Sequence, residues 1–473
     1  MALMTWLLAC AGALPPPGTE ADPAAVAGAE LAPVALLHRA SLDLRGVRPT
    51  VAEVERVEAD PGAVDALVLE FLQDERFGAR VRDLFSSVYL TRTDYFYVGA
   101  ADYGLTDEPA FARAVGDEPL RILSTIAEED LPFHTIVTAD WTMADENTGR
   151  AWPLDYPEGA TGWQKARYTD GRPAAGILST NGMWWRYMTN ASNANRGRAN
   201  AISRILLCDD YLGKAIEFDR DVNLLDQSAI NDALQTNPGC IACHNTLDPL
   251  ASYLWGFFYF NYDSRDDTTY YHPERETYWE SYTEVEPSYF GTPGYDLADL
   301  GRQIAADPRL PQCVVQRSFE LLLQRESDID DTADLNAARE VFLAADTRLR
   351  PLFAAIVTSE AYRAAPSDDP ASGRKLLSVD QLGTVMEDLT GYRFTYYGYD
   401  MLQTDTYGLR TLAGGVDGVY STRPATQATA TMLLAFEREA QAAAAYAVAH
   451  DLANPDSARL FHHVSLTATP DSD

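Results

Sequence analysis

Apolar positions in this chain fall mostly at helical spacing, and the alternation expected of strands is rare and short. Thr50 and Glu53 form an S/T-x-x-E capping box, which predicts a short helix over Val51 to Val57 that Asp60-Pro61 then breaks. Val64, Leu67, Val68, Phe71 and Leu72 share one face of a second helix. Leu120, Ile122, Leu123 and Ile126 give a third, over 117–128. From 145 to 175 the pattern fails and Gly, Pro, Asp and Thr dominate, as in a long loop. Helical spacing returns at 198–208, 297–306, 313–324, 332–345 and 349–364. A second capping box, Ser378-x-x-Gln381, opens a last unit that ends in an Ala-rich helix over about 428–454. The expected class is mainly α.

Breaks in this pattern divide the chain. The expected order is a signal peptide (1–9), a flexible tether (10–30), an N-terminal helical domain (31–145) and the loop (146–175). A second helical domain (176–364), a linker (365–377), a C-terminal helical domain (378–455) and a disordered tail (456–473) follow. The 473 residues are enough for two to four packed units, and 46% are hydrophobic, so a sizeable core can form. Charge narrows the partners. With 37 Lys plus Arg against 70 Asp plus Glu, the chain lacks the basic footprint that phosphate backbones require, which excludes nucleic acid as a partner. Such a surface suits solubility and permits a basic redox partner protein.

No internal run reaches the roughly 20 apolar residues that span a bilayer. The first ten residues, MALMTWLLAC, are apolar and precede a Pro/Gly/Ala-rich stretch, the layout of an export signal and tether. Leu7-Leu8-Ala9-Cys10 resembles the lipobox of bacterial lipoproteins, in which the small residue before Cys permits cleavage and the thiol takes the lipid. The expectation is an exported protein held to the membrane through lipid on Cys10, on an outer-membrane lipoprotein facing the periplasm or surface.

Cys240-Ile241-Ala242-Cys243-His244 is a CxxCH motif, the attachment signature of c-type haem. Each thiol adds across one vinyl group of the porphyrin edge, and the adjacent His is placed to bind iron from the proximal side. Zinc would need two further soft ligands, which Cys208 and Cys313 could supply. A thioredoxin-like pair would need a βαβ context that the pattern lacks. A plain Cys240–Cys243 disulfide would leave His244 unexplained. One covalent haem c, held by Cys240, Cys243 and His244, is the expected cofactor. Candidate sixth ligands are Met183 and Met188, which flank a Trp-rich run, and His272; an open or otherwise ligated position is the alternative. Cys208 and Cys313 remain, and an exported chain would pair them as a disulfide.

The stretch from Cys240 through Asn245-Thr246-Leu247-Asp248-Pro249-Leu250 to Phe258 resembles the haem segment of planctomycete-type cytochrome c proteins, with Ala251 where those have Gly. Gly176–Thr180 and Arg196–Cys208 match its lead-in. Leu36–Gly46 with Pro49-Thr50, the run from Cys313 to Arg363, and Leu412–Asp417 resemble other blocks of the same exported multi-domain proteins. The resemblance implies haem binding and export but no substrate.

Other tempting residues have plainer readings. Asp328 to Asp334 alternates acids like a calcium loop but lacks the turn Gly and closing acid, so it reads as a helix start. His38 sits in an apolar run, and His462-His463 in the tail. No Ser-His-Asp or nucleophile-elbow pattern occurs. The function expected from sequence is an envelope-anchored mono-haem cytochrome that transfers electrons, rather than a defined catalyst. The rival is a non-redox binding or structural lipoprotein.

Overall fold

The structure is a computed structural model that describes residues 29–214, 222–223, 225–365 and 375–461. Cys10, the signal, most of the tether and His462-His463 lie outside the described residues, as does most of the expected linker. The described residues are mainly helical, with three two-stranded antiparallel sheets.

Local chemistry explains the first helices. Pro33 opens helix Pro33–Arg45, and Gly46 closes it at φ 75°, where its N–H reaches the Leu42 carbonyl. Thr50 and Glu53 form the expected reciprocal box, and helix Val51–Ala59 follows. Helices Ala63–Phe71 and Arg76–Tyr89 pack with the first.

The next helix, Glu108–Glu128, is nine residues longer at its start than the apolar spacing predicts. Asp107 caps it through the Ala110 N–H, and Pro119 stands inside it. Its buried stretch meets the short helix Asn181–Arg186 so closely that a Cβ on Gly182 would lie 2.3 Å from the Val115 carbonyl oxygen. Only glycine permits that approach.

Glu118, beside Pro119, is fully buried and accepts hydrogen bonds from Thr142 Oγ1 (2.8 Å), Tyr168 Oη (2.7 Å) and the Gly182 N–H (2.8 Å). Burial outweighs these bonds and pushes its carboxyl up to about 7. The native state therefore holds this proton over a range where the unfolded chain has lost it. Stability should fall as pH rises from about 4.5 to 7, by at most ~1.4 kcal/mol per pH unit from this one group. Urea unfolding across that range checks it. Glu118→Gln should flatten the slope, and an unchanged slope would remove Glu118 as its source.

The segment expected as a loop over 146–175 is partly ordered structure. Thr142–Ala144 pairs with Gln164–Ala166, and helix Glu146–Ala151 sits between them, capped by Asp145. The stabilising contacts here are a short ladder and a cap, neither of which leaves an apolar period to read.

The N-terminal helices and the region after Gly176 share one contiguous core that runs from Leu36 to Tyr362. Phe77 packs edge-on against Phe353 with ring centroids 5.3 Å apart, and Phe133 meets Phe342 at 6.4 Å. The two ends of this body also meet: Leu31 N–H donates to the Arg363 carbonyl, and the Tyr362 hydroxyl donates to buried Asp43 at 2.6 Å. The region expected as one helix over 349–364 is two, Leu349–Val357 and Glu360–Arg363, because Ser359 leaves the helical path and caps the second through the Tyr362 N–H. The C-terminal unit has its own small core of Val379, Leu382, Leu402, Ala413 and Ala435. Ser378 and Gln381 form the second expected capping box, and the Ala-rich helix spans Ala430–Ala453. Among the described residues no helix is long and apolar enough to cross a membrane.

Candidate functional site

The CxxCH motif opens helix Pro238–Ser252. Asn237 caps this helix by accepting from the Gly239 and Cys240 N–H groups, and Pro238 takes the first position, where a missing N–H costs nothing. Cys240, Cys243 and His244 are spaced i, i+3 and i+4, so the helix puts all three on one face. Both thiols are free and half-buried, and Cys243 packs against the main core.

His244 is 26% exposed, and its Nδ1 lies 2.8 Å from Asp248 Oδ1, one turn along the same helix. Nε2 makes no hydrogen bond among the described residues. Asp248 is nearly buried and also accepts a bidentate pair from Arg196, Nε at 2.7 Å and Nη2 at 2.8 Å. Burial works to raise the Asp248 carboxyl, but the bonds from Arg196 and His244 prevail and hold it below the usual carboxylate range. The result is a chain Arg196–Asp248–His244 that fixes the imidazole with one nitrogen tied and the other turned outward. Carboxylate partners orient metal-binding histidines in this way.

Arg196 comes from the helix Arg196–Leu206 that packs on the CxxCH helix. Two residues on, Arg198 is fully buried and donates to the carbonyls of Tyr187, Trp184 and Phe257, so it ties the Trp-rich segment to the chain that leaves the CxxCH helix. Tyr211 Oη meets Thr246 Oγ1 at 2.8 Å and closes a third side.

Cys208 and Cys313 form a disulfide with Cα atoms 5.3 Å apart. It closes a span of 105 residues that contains the whole CxxCH helix. Both thiols that a zinc site would have required are therefore used.

The candidate sixth ligands fare differently. Met183 is sealed in the core at 1% exposure, whereas Met188 is 43% exposed. His272 has both ring nitrogens engaged in its own neighbourhood, Nε2 with the Asp267 carbonyl at 2.9 Å and Nδ1 with Glu274 Oε1 at 3.0 Å. It could bind a metal only by giving up one of these.

Searches of family models, curated proteins and solved structures find no match to this chain. Function must therefore be argued from these residues. Sequence reasoning singled out both cysteines and His244 but gave Asp248 no role, although an acid four residues after the His on one helix was readable. Arg196, 52 residues away in the chain, left no such signal.

The donor set suits a c-type haem. Two thiols and an imidazole share one helix face, the thiols are unbonded, and the imidazole keeps a free nitrogen on the side away from its carboxylate.

Proposed function

We propose that Cys240, Cys243 and His244 carry one covalently attached haem c. On this reading the chain is an envelope-anchored electron carrier, or the haem module of a larger assembly. The observation that carries the reading is the contrast among its cysteines. Cys208 and Cys313 are joined, as in an oxidising compartment, while Cys240 and Cys243 stay free beside a histidine whose outer nitrogen is unclaimed. The likeness of the surrounding blocks to planctomycete-type cytochrome c proteins supports the same reading.

When bound, the haem would supply a one-electron couple at its iron. The chain's own contribution is the attachment and the tuning. Cys240 and Cys243 would hold the porphyrin edge through thioether bonds, and His244 would offer Nε2 to the iron. Asp248 keeps Nδ1–H hydrogen-bonded, which fixes the tautomer and makes the ring a stronger electron donor. Arg196 holds Asp248 in place. The acidic surface favours a basic redox partner and no nucleic acid. Lipid on Cys10 would provide the membrane anchor.

A reduced-minus-oxidised spectrum of protein made with the c-haem maturation machinery tests the proposal: haem bands that follow reduction support it, and a featureless difference spectrum contradicts it. Asp248 gives a sharper expectation. Asp248→Asn weakens the charge on Nδ1–H, so the midpoint potential should rise by on the order of 40 mV, about 1 kcal/mol for a one-electron couple. Spectroelectrochemical titration measures the shift. A potential equal to that of the wild type would leave Asp248 a purely structural partner of Arg196.

A further inference from the structure

Away from the CxxCH helix, a cavity of about 280 Å³ lies between helix Arg76–Tyr89 and helix Val379–Thr390, where the C-terminal unit meets the main body. Six arginines and four acids line it, in a chain with net charge −33. Acids outnumber bases almost two to one overall, so an arginine surplus here is not for want of carboxylates.

Most of the surrounding charges are matched. Arg45 holds Glu53 at 2.9 Å, Arg76 holds Asp74, and Arg410 holds Asp380 at 3.0 Å. Arg393 has Glu387 at 3.4 Å. Arg92, behind the cavity, takes both Asp117 (2.6 Å) and Asp83 (2.9 Å).

Three lining arginines are left short. Arg80 is 5% exposed, and its one hydrogen bond among the described residues runs from Nε to the Asp43 carbonyl, at 3.3 Å. Among the described residues Arg82 makes no hydrogen bond, and its buried Nε has only distant acids, Asp83 and Asp117, at 3.7 and 3.8 Å. Arg113 reaches Asp117 at 3.4 Å, also without a hydrogen bond among the described residues. The carboxylates beside Arg82 and Arg113 are those already claimed by Arg92. Burial and the Arg92 charge accordingly push the Arg113 guanidinium down to about 10. Asp400 on the far wall meets Arg393 only at 3.8 Å, and burial raises its carboxyl above the usual range. Guanidinium groups held this way, with donors unfilled and water partly excluded, leave room and charge for an anion.

We infer that this cavity binds a small polyvalent oxyanion, such as a phosphate, pyrophosphate or tricarboxylate, through Arg80, Arg82 and Arg113. The anion would bridge the main body and the C-terminal unit. The inference is independent of the haem.

The full chain in metal-free buffer at pH 7 is titrated calorimetrically with sodium phosphate, sodium pyrophosphate or sodium citrate at constant ionic strength, and its thermal unfolding is followed with each. Saturable one-site binding of at least one anion is expected, with a matching rise in Tm. The phosphate and citrate arms separate phosphoryl from carboxylate chemistry. Arg82→Gln with Arg113→Gln should weaken binding by about tenfold or more, since each removes charge-assisted donors. Thr384→Glu provides a second variant that leaves the arginines intact. Thr384 lines the cavity from an exposed helix position, so a carboxylate there supplies the missing charge in place. That variant should melt higher than wild type without anion and gain nothing on adding it. No saturable binding of any of the three salts, or equal binding by wild type and both variants, would overturn the inference.

Discussion

Replacing Cys240 and Cys243 together with alanine should abolish covalent haem attachment while leaving the helix that bears them intact. The two thiols stand in the first turns of helix Pro238–Ser252, and the cap that holds this turn is Asn237, which neither change touches. Each single change should leave one thioether and a weaker haem stain. The double change should leave none, because His244 alone offers a reversible bond. A haem-stained denaturing gel of protein made with the maturation machinery reads the difference. Equal staining of wild type and double variant would place the cofactor elsewhere. Cys208 and Cys313, bonded to each other, supply the internal control: their replacement should leave the covalent attachment chemistry in place.

The same pair gives the largest expected loss of stability. The Cys208–Cys313 bond closes a span of 105 residues, which in the chain-entropy account stabilises the fold by about 4–5 kcal/mol relative to the unbridged chain. The loop holds the CxxCH helix, Arg196 lies just before it, and Cys313 sits buried on helix Arg309–Leu323 in the same core. Changing both residues to serine leaves no odd thiol to exchange with Cys240 or Cys243. The double variant should unfold at markedly lower urea, with the whole difference gone when wild type is fully reduced before unfolding. A loss under about 1 kcal/mol would mean that the bond constrains little, and that packing around Leu206, Val314 and Phe319 holds the region unaided.

Features set by neighbouring residues were legible in the sequence. Thr50 with Glu53 and Ser378 with Gln381 foretell their helices because both partners of a capping box lie within four residues. The Cys208–Cys313 bond could be anticipated by accounting for every cysteine on the expectation of export. Features made by distant partners were not legible. The pairing of Thr142–Ala144 with Gln164–Ala166 turns an apparent loop into a tied segment, and nothing in either triplet announces the other. Phe77 against Phe353 merges two expected domains into one core across a sequence separation of 276. Helix Glu108–Glu128 runs through Pro119, a residue that read alone argues for a break. The site divides in the same way. Cys240, Cys243 and His244 were written in one motif, and Asp248 followed at helical spacing. Arg196 and the cavity arginines come together only through packing of helices far apart in sequence.

The intact mass of the denatured wild-type protein, purified from a host with the c-haem maturation machinery and treated with an alkylating agent, tests the haem assignment most directly. The account predicts a polypeptide heavier by one haem, with neither Cys240 nor Cys243 alkylated and Cys208 still joined to Cys313. A colourless protein without the mass of a haem, with Cys240 and Cys243 both alkylated or joined to each other, would contradict it.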